Sequence, residues 1–187
     1  MSGHGHIDPS NKKIAMLIAI LALILAFSET LAKSSQTTAL SYNIEASNLW
    51  SFFQAKTIRM TMVRTAMESA EMELIQTKNP TGKEILKKQI ESWKKTAARY
   101  DSEPDTREGR KELMARAKSA EKERDRSMAA YHHYELASAA LQIAIVLASA
   151  QIITGVVALA WISGGLGVVG LVLSLIGYFA PLAIHPF

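Results

Sequence analysis

Charged residues are scarce at both ends of this chain and crowded into its middle. From Leu136 to Phe187 there is no Asp, Glu, Lys or Arg, a run of 52 residues. Near the other end "IAMLIAILALILAF", Ile14 to Phe27, is 14 residues without a polar side chain. A helix needs about 20 apolar residues to cross the hydrocarbon core of a bilayer. The C-terminal run has room for two such helices, and the N-terminal run reaches 19 residues once Ser28 to Ala32 are included. The pattern therefore predicts transmembrane helices over 14–32, 139–162 and 166–184, after a short tail over 1–13. The turn between the last two is expected at "SGGLG", Ser163 to Gly167, because glycine adopts the backbone conformations a tight hairpin requires. A hairpin buried in a soluble core is the competing reading, but an uncharged pair this long would need a far larger protein around it. For the first run the alternative is a cleaved signal peptide, with Thr30-Leu31-Ala32 resembling a small-residue cleavage site.

Breaker residues set the organisation of the middle, 33–135. No Gly or Pro falls between Pro9 and Pro80, nor from Arg110 to Thr154. Asp8 before Pro9 suits an N-cap followed by proline at the first helical position, so a first helix is predicted from Pro9 to about Lys78. Its polar half repeats in sevens. Ala39, Tyr42, Ala46, Leu49, Phe53, Lys56, Met60, Val63, Met67, Ala70 and Leu74 alternate steps of three and four, and all but Lys56 are apolar. That is a coiled-coil seam, and Leu49, Phe53, Met60, Val63, Met67 and Leu74 are its candidate assembly residues. "NPTGKE" then turns the chain, with Thr81 and Glu84 at capping-box spacing. A second helix, about Thr81 to Tyr100, carries Leu86, Ile90, Trp93, Ala97 and Tyr100 on one stripe and offers Glu84–Lys88 and Glu91–Lys95 as i,i+4 ion pairs. "DSEPDTREG" breaks it, and a third helix is predicted to start near Asp105 and continue into the apolar C-terminal run.

Charge sharpens this picture. Of 38 charged residues 34 lie between Lys33 and Glu135, 19 basic against 15 acidic, so this stretch carries the whole net charge of +4. At 1.5 Å per residue the outgoing path, Lys33 to Lys78, is about 69 Å and the return path to Glu135 about 77 Å. Matching lengths predict an antiparallel extramembrane hairpin. Its side of the membrane is contested: Lys12 and Lys13 beside the first span favour a cytoplasmic N-terminus, whereas Lys33, Lys122, Arg124 and Arg126 favour the reverse. Because the first span usually dominates and long segments translocate regardless of charge, the hairpin is expected to be periplasmic.

The stretch "ALSYNIEASNLWSFFQAKTIRMT", Ala39 to Thr61, taken with "KKIAMLIAILALILAFSETLAKS" before it and the closing apolar hairpin, resembles a bacterial membrane-protein family, domain of unknown function 4337. The segment Asn48 to Lys56 is the most specific part, and the resemblance covers nearly the whole chain. It implies a bacterial inner-membrane location, and brings with it no activity, ligand or catalytic residue.

Candidate chemistry is sparse. Tyr131, His132, His133 and Tyr134 invite a metal reading, but adjacent histidines point about 100° apart on a helix and cannot both reach one ion. Their place just before the second span fits an aromatic membrane-interface belt. His4 and His6 lie near the N-terminus with little to fix them. The chain has no cysteine, which excludes thiolate metal sites and disulfides. Arg107 to Arg126 holds eight basic residues against five acidic ones, a balance that raises nucleic acid as a partner, yet the interleaved signs are those of a solvated helix face. No phosphate loop, dinucleotide glycine pattern or Ser, His and acid set is present. Inside the membrane, Ser163, Gly167, Gly170, Ser174 and Gly177 form a small-residue stripe that lets helices approach closely. Gln142 and Gln151 are half a turn out of phase and line no common face.

These observations predict an all-α membrane protein. Its N-terminal transmembrane helix continues into a long coiled-coil-like helix, followed by the antiparallel extramembrane hairpin and a C-terminal transmembrane hairpin. The expected role is a scaffold or assembly protein that self-associates through its coiled coil and small-residue transmembrane stripes, without enzymatic activity or cofactor, in contact with the bilayer and not with nucleic acid. A channel, or an accessory subunit of a larger membrane complex, is the alternative.

Overall fold

With no breaker after Pro9, the first helix, α1, runs unbroken over Pro9–Gln76. Three more follow: α2 over Pro80–Asp101, α3 over Arg110–Thr154 and α4 over Val157–Phe179. This is a computed structural model that describes residues 9–183, and among the described residues there is no strand. Asp8, His4, His6 and the last residue of the expected third span, Ile184, lie outside the described residues. The chain divides into two compact units. The hairpin unit comprises Ser41–Lys122, and the apolar unit comprises the chain up to Leu40 and from Glu123 onward.

In the hairpin unit α1 is met in turn by α3 and α2. Ala46 and Leu49 of α1 pack with Leu113, Ala117 and Ala120 of α3, and Trp50 Nε1 donates to Glu121 at 2.8 Å. Farther along α1, Lys94 of α2 lies 4.0 Å from Glu71, and Ile90 and Ala97 are buried. Three local expectations need correction. The cap of α2 is Asn79, whose side chain accepts from Thr81 N at 3.1 Å, and not Thr81 with Glu84; Pro80 takes the first helical position, where its fixed φ and missing N–H cost nothing. Glu84 pairs with Lys88 at 2.9 Å instead. Glu91 and Lys95 form no ion pair among the described residues. And α3 begins at Arg110, five residues later than expected, because 102–109 is held in a turn of its own. There Arg107 adopts φ 57°, and a Cβ at buried Gly109 would collide with the backbone of Ser102 and Glu103.

In the apolar unit α4 packs against both α1 and α3. Leu21, Leu141 and Ala144 form the core, with Leu17, Ile24 and Leu166 against them. Here the expected turn at Ser163–Gly167 is overturned: the chain turns at Gly155 and Val156. Gly155 has φ 71° and its N–H bonds to Gln151 O at 2.9 Å, a left-handed helix stop that favours glycine. The residues expected to turn serve close packing. Buried Ser163 donates to Ala144 O at 2.8 Å, and a Cβ on Gly167 would strike Leu21. The uncharged lengths available for crossing are thus 136–154 and 157–179, in place of 139–162 and 166–184. Helices α1, α3 and α4 are each long and apolar enough to cross a membrane, and only 11%, 33% and 17% of their most apolar windows is buried. Most of that oily surface therefore faces away from the protein.

Candidate functional site

Where the uncharged and charged stretches of α1 and α3 meet, the apolar unit holds an open groove of about 500 Å³. Glu29, Ala32, Lys33 and Gln36 line it from α1, and Tyr131, Glu135, Ser138, Ala139 and Gln142 from α3. Each set follows three- and four-residue steps, which places its members on one helix face. Gln142 Nε2 donates to Glu29 Oε1 at 3.1 Å, and the Tyr131 hydroxyl donates to Glu135 Oε1 at 3.2 Å. Ser138 Oγ is buried without a hydrogen-bond partner. Alanines on both walls keep the groove open. The sequence reading missed this cluster, although one signal was available: Glu29 and Glu135 are the charges that border the long uncharged runs of their helices, and they prove to line one groove.

The Tyr131–Tyr134 quartet divides. Tyr131, which lines the groove, and His132 stay half-buried, with ring centroids 5.5 Å apart and His132 Nδ1 3.8 Å from Glu135 Oε2. His133 and Tyr134 turn inward. His133 is 1% exposed, its Nε2 lies 3.2 Å from Pro181 O, and Tyr134 packs over Gly177. Among the described residues no three His, Asp or Glu side chains converge as a metal-ligand set. The small-residue stripe is likewise occupied inside the chain. Ser163, Gly167, Gly170 and Gly177 are buried, Gly170 faces Leu141 and Ala137 O, and Ser174 shares a 2.7 Å hydrogen bond with Ser28.

A second polar cluster fastens the 102–109 turn to α1. Lys56, the charged member of the heptad seam, is 6% exposed; its Nζ lies 3.8 Å from Glu103 and 3.6 Å from Glu108 and over the rings of Phe52 and Tyr100. Glu112 accepts from Ser102 Oγ at 2.6 Å and Glu103 N at 3.1 Å, and these bonds, the serine's first, hold its carboxyl below the ordinary value. The Lys111 ammonium, 2.8 Å from Asp101, does the same for Asp101 by hydrogen bonding, and is itself pushed up in return. This arrangement is structural: each of these groups has its partner inside the cluster.

The heptad seam from Ala39 to Leu74 is buried or half-buried at every position, and its central members face α2 and α3. Trp50 and Phe52, outside that seam, pack on the same core. The opposite side of α1 is different. Ile44, Asn48, Ser51, Ala55, Ile58, Met62, Thr65, Ser69, Met72 and Gln76 alternate steps of four and three, none is charged, and all are exposed except half-buried Ala55. Ile58 is 60% and Met62 67% exposed. A solvated helix face normally carries charge, as the exposed face of α2 does with Lys87, Lys88, Glu91 and Lys95. Thus α1 bears two heptad seams, one filled and one open.

Comparison with known proteins adds a family and no activity. No curated protein and no solved structure matches the chain. A family model matches over residues 10–180, nearly the whole of the chain and both units described above, and on that match the chain belongs to the family Domain of unknown function (DUF4337).

Proposed function

We propose that this protein is a non-catalytic scaffold of the bacterial inner membrane, anchored by α1, α3 and α4, that self-associates through the open seam of α1. The single observation that carries the reading is that ten-position uncharged seam, 44 to 76, on the side of α1 away from α2 and α3. Copies anchored through the same end of α1 are held parallel, so each seam position meets its own counterpart. Without charge at those positions no like charges are forced together; Glu68 and Glu73 flank the seam at rim positions and oppose pairing only mildly. Ile58, Met62 and Met72 supply apolar contact, and confinement to one membrane raises the effective concentration so that a modest interface suffices. The filled seam and the small-residue stripe then serve folding of the single chain. On the positive-inside argument the hairpin unit lies in the periplasm.

Because the chain has no cysteine, the test is direct. Ile58→Cys in lipid nanoparticles should give a chain-to-chain disulfide under mild oxidation, whereas Lys87→Cys on the charged face of α2 should not. Met62→Lys should reduce the native mass to that of a single chain while helix content stays unchanged. A wild-type chain that is monomeric, with an Ile58→Cys variant that does not crosslink, would remove self-association. A fixed complex with a different protein through the same seam would favour the accessory-subunit reading.

A further inference from the structure

The groove between Glu29 and Gln142 has the chemistry of a binding site. Its volume of about 500 Å³ is that of a small-molecule pocket. Two carboxylates, Glu29 and Glu135, and one ammonium, Lys33, line it together. A purely anionic guest would meet Lys33 but also two like charges, and a purely cationic guest would meet Lys33 as repulsion. A zwitterion satisfies both signs. The hydrogen bonds already formed leave capacity: Glu29 gives only Oε1 to Gln142, and Glu135 gives Oε1 to Tyr131 while its Oε2 lies 3.8 Å from His132 Nδ1. A primary ammonium has three N–H donors for such acceptors, whereas a quaternary ammonium has none. A guest bearing a further carboxylate would add a third negative group beside the two glutamates.

Position supplies the rest. The residues that follow Glu135 on α3, and those that precede Glu29 back to Ile14 on α1, are uncharged. The groove therefore opens at the depth where headgroups meet acyl chains, with Ala32 and Ala139 leaving space on its walls. We propose that this groove seats the headgroup of an ethanolamine phospholipid, its ammonium between Glu29 and Glu135 and its phosphate against Lys33. The proposal rests on the membrane reading and is independent of self-association.

The test uses the full chain reconstituted in vesicles of ethanolamine, choline and glycerol phospholipids in equal parts, with retained lipid counted by native mass measurement after gentle extraction. The wild type should retain the ethanolamine lipid in preference to the other two. The double variant Glu29→Gln with Glu135→Gln should lose that preference by about tenfold or more, as expected when charged hydrogen-bond acceptors are removed, and Lys33→Gln should weaken retention of the ethanolamine lipid. Ala139→Phe fills the groove without touching a charge and should abolish retention. Vesicle flotation and helix content are read on every sample. A wild type that floats yet retains the three lipids equally overturns the proposal, as does a preference that survives Ala139→Phe. Soluble phosphoethanolamine competing as well as the intact lipid would overturn the assignment to a lipid. Failure to float would remove the membrane reading on which the proposal depends, and is seen separately.

Discussion

Glu112 shows how one side chain holds a whole turn. Its two carboxylate oxygens take Ser102 Oγ and Glu103 N, which stops α2 and starts α3 at fixed points. Asp101 braces the same turn through Lys111 and through Arg110 at 3.3 Å. Both carboxyls are held below their ordinary values, so each binds a proton more readily when the chain unfolds. Their contribution is complete above the ordinary carboxylate range and is lost as pH falls below about 4. Lys111 is raised, so its share is complete at neutral pH and is lost as pH climbs past about 10.4. Thermal unfolding of the hairpin unit, followed by circular dichroism, should therefore be flat through neutrality and fall at both extremes. In Glu112→Gln the acid fall should shrink; an unchanged acid limb would show that the bonds to Ser102 and Glu103 do not contribute. Gly109→Ala, which forces a Cβ into the turn's backbone, should cost about 1–3 kcal/mol by overpacking.

Among helices, glycine has two opposite uses in this chain. At Gly155 it permits a left-handed backbone in open space; at Gly167, Gly170 and Gly177 it permits contact between helices whose backbones remain ordinary. Gly164 and Gly165 do neither, since they are helical and a Cβ on either meets nothing within 4 Å. Four substitutions separate these cases. Gly155→Ala should destabilise by about 1–2 kcal/mol through its positive φ. Gly164→Ala and Gly165→Ala should be neutral or stabilising by up to about 1 kcal/mol, because alanine favours a helix interior over glycine. Gly170→Leu should destabilise by about 1–3 kcal/mol against Leu141. Unfolding in mixed detergent measures all of them. If the turn lay at Ser163–Gly167, the order of Gly155 and Gly165 would reverse.

For the whole molecule, the side of the membrane that holds the hairpin unit and the proposed association between copies can each be tested directly. The charges near the spans argue both ways, but a cysteine at Lys83, exposed in the first turn of α2, would report directly on the hairpin unit. With a membrane-impermeant maleimide in intact spheroplasts, labelling is expected at full extent, as for a periplasmic tip. Protection until the membrane is permeabilised would reverse the orientation. Since the filled seam of α1 is consumed by α2 and α3, the proposed association between copies would fall to the open seam, and charges placed on either seam should act differently. Met62→Lys should leave the single chain folded and separate the copies, whereas Leu49→Lys should unfold the hairpin unit.

Periodicity and charge segregation were enough to read four things from the chain: all-helical structure, the unbroken first helix, three lengths of helix apolar enough for a bilayer, and the seam from Ala39 to Leu74. Each follows from local rules. Breakers end helices, three-four spacing defines a face, and uncharged length measures a crossing. What those rules left open concerned choices between residues of equal local aptitude. Ser163–Gly167 and Gly155 are alike as turn formers, and only packing of Leu21, Leu141 and Ala144 against α4 required small residues at the former and released the latter to turn. Lys56 stood out in its seam, but its acceptors Glu103 and Glu108 are about fifty residues away and are brought to it only when α2 and α3 fold back along α1. Glu29, Lys33, Glu135 and Gln142 are unremarkable on their own helices; they become one groove because packing of α1 against α3 aligns the two charge boundaries. Local sequence determines where a helix can run and which face is oily, whereas which faces meet is decided by the joint packing of distant segments.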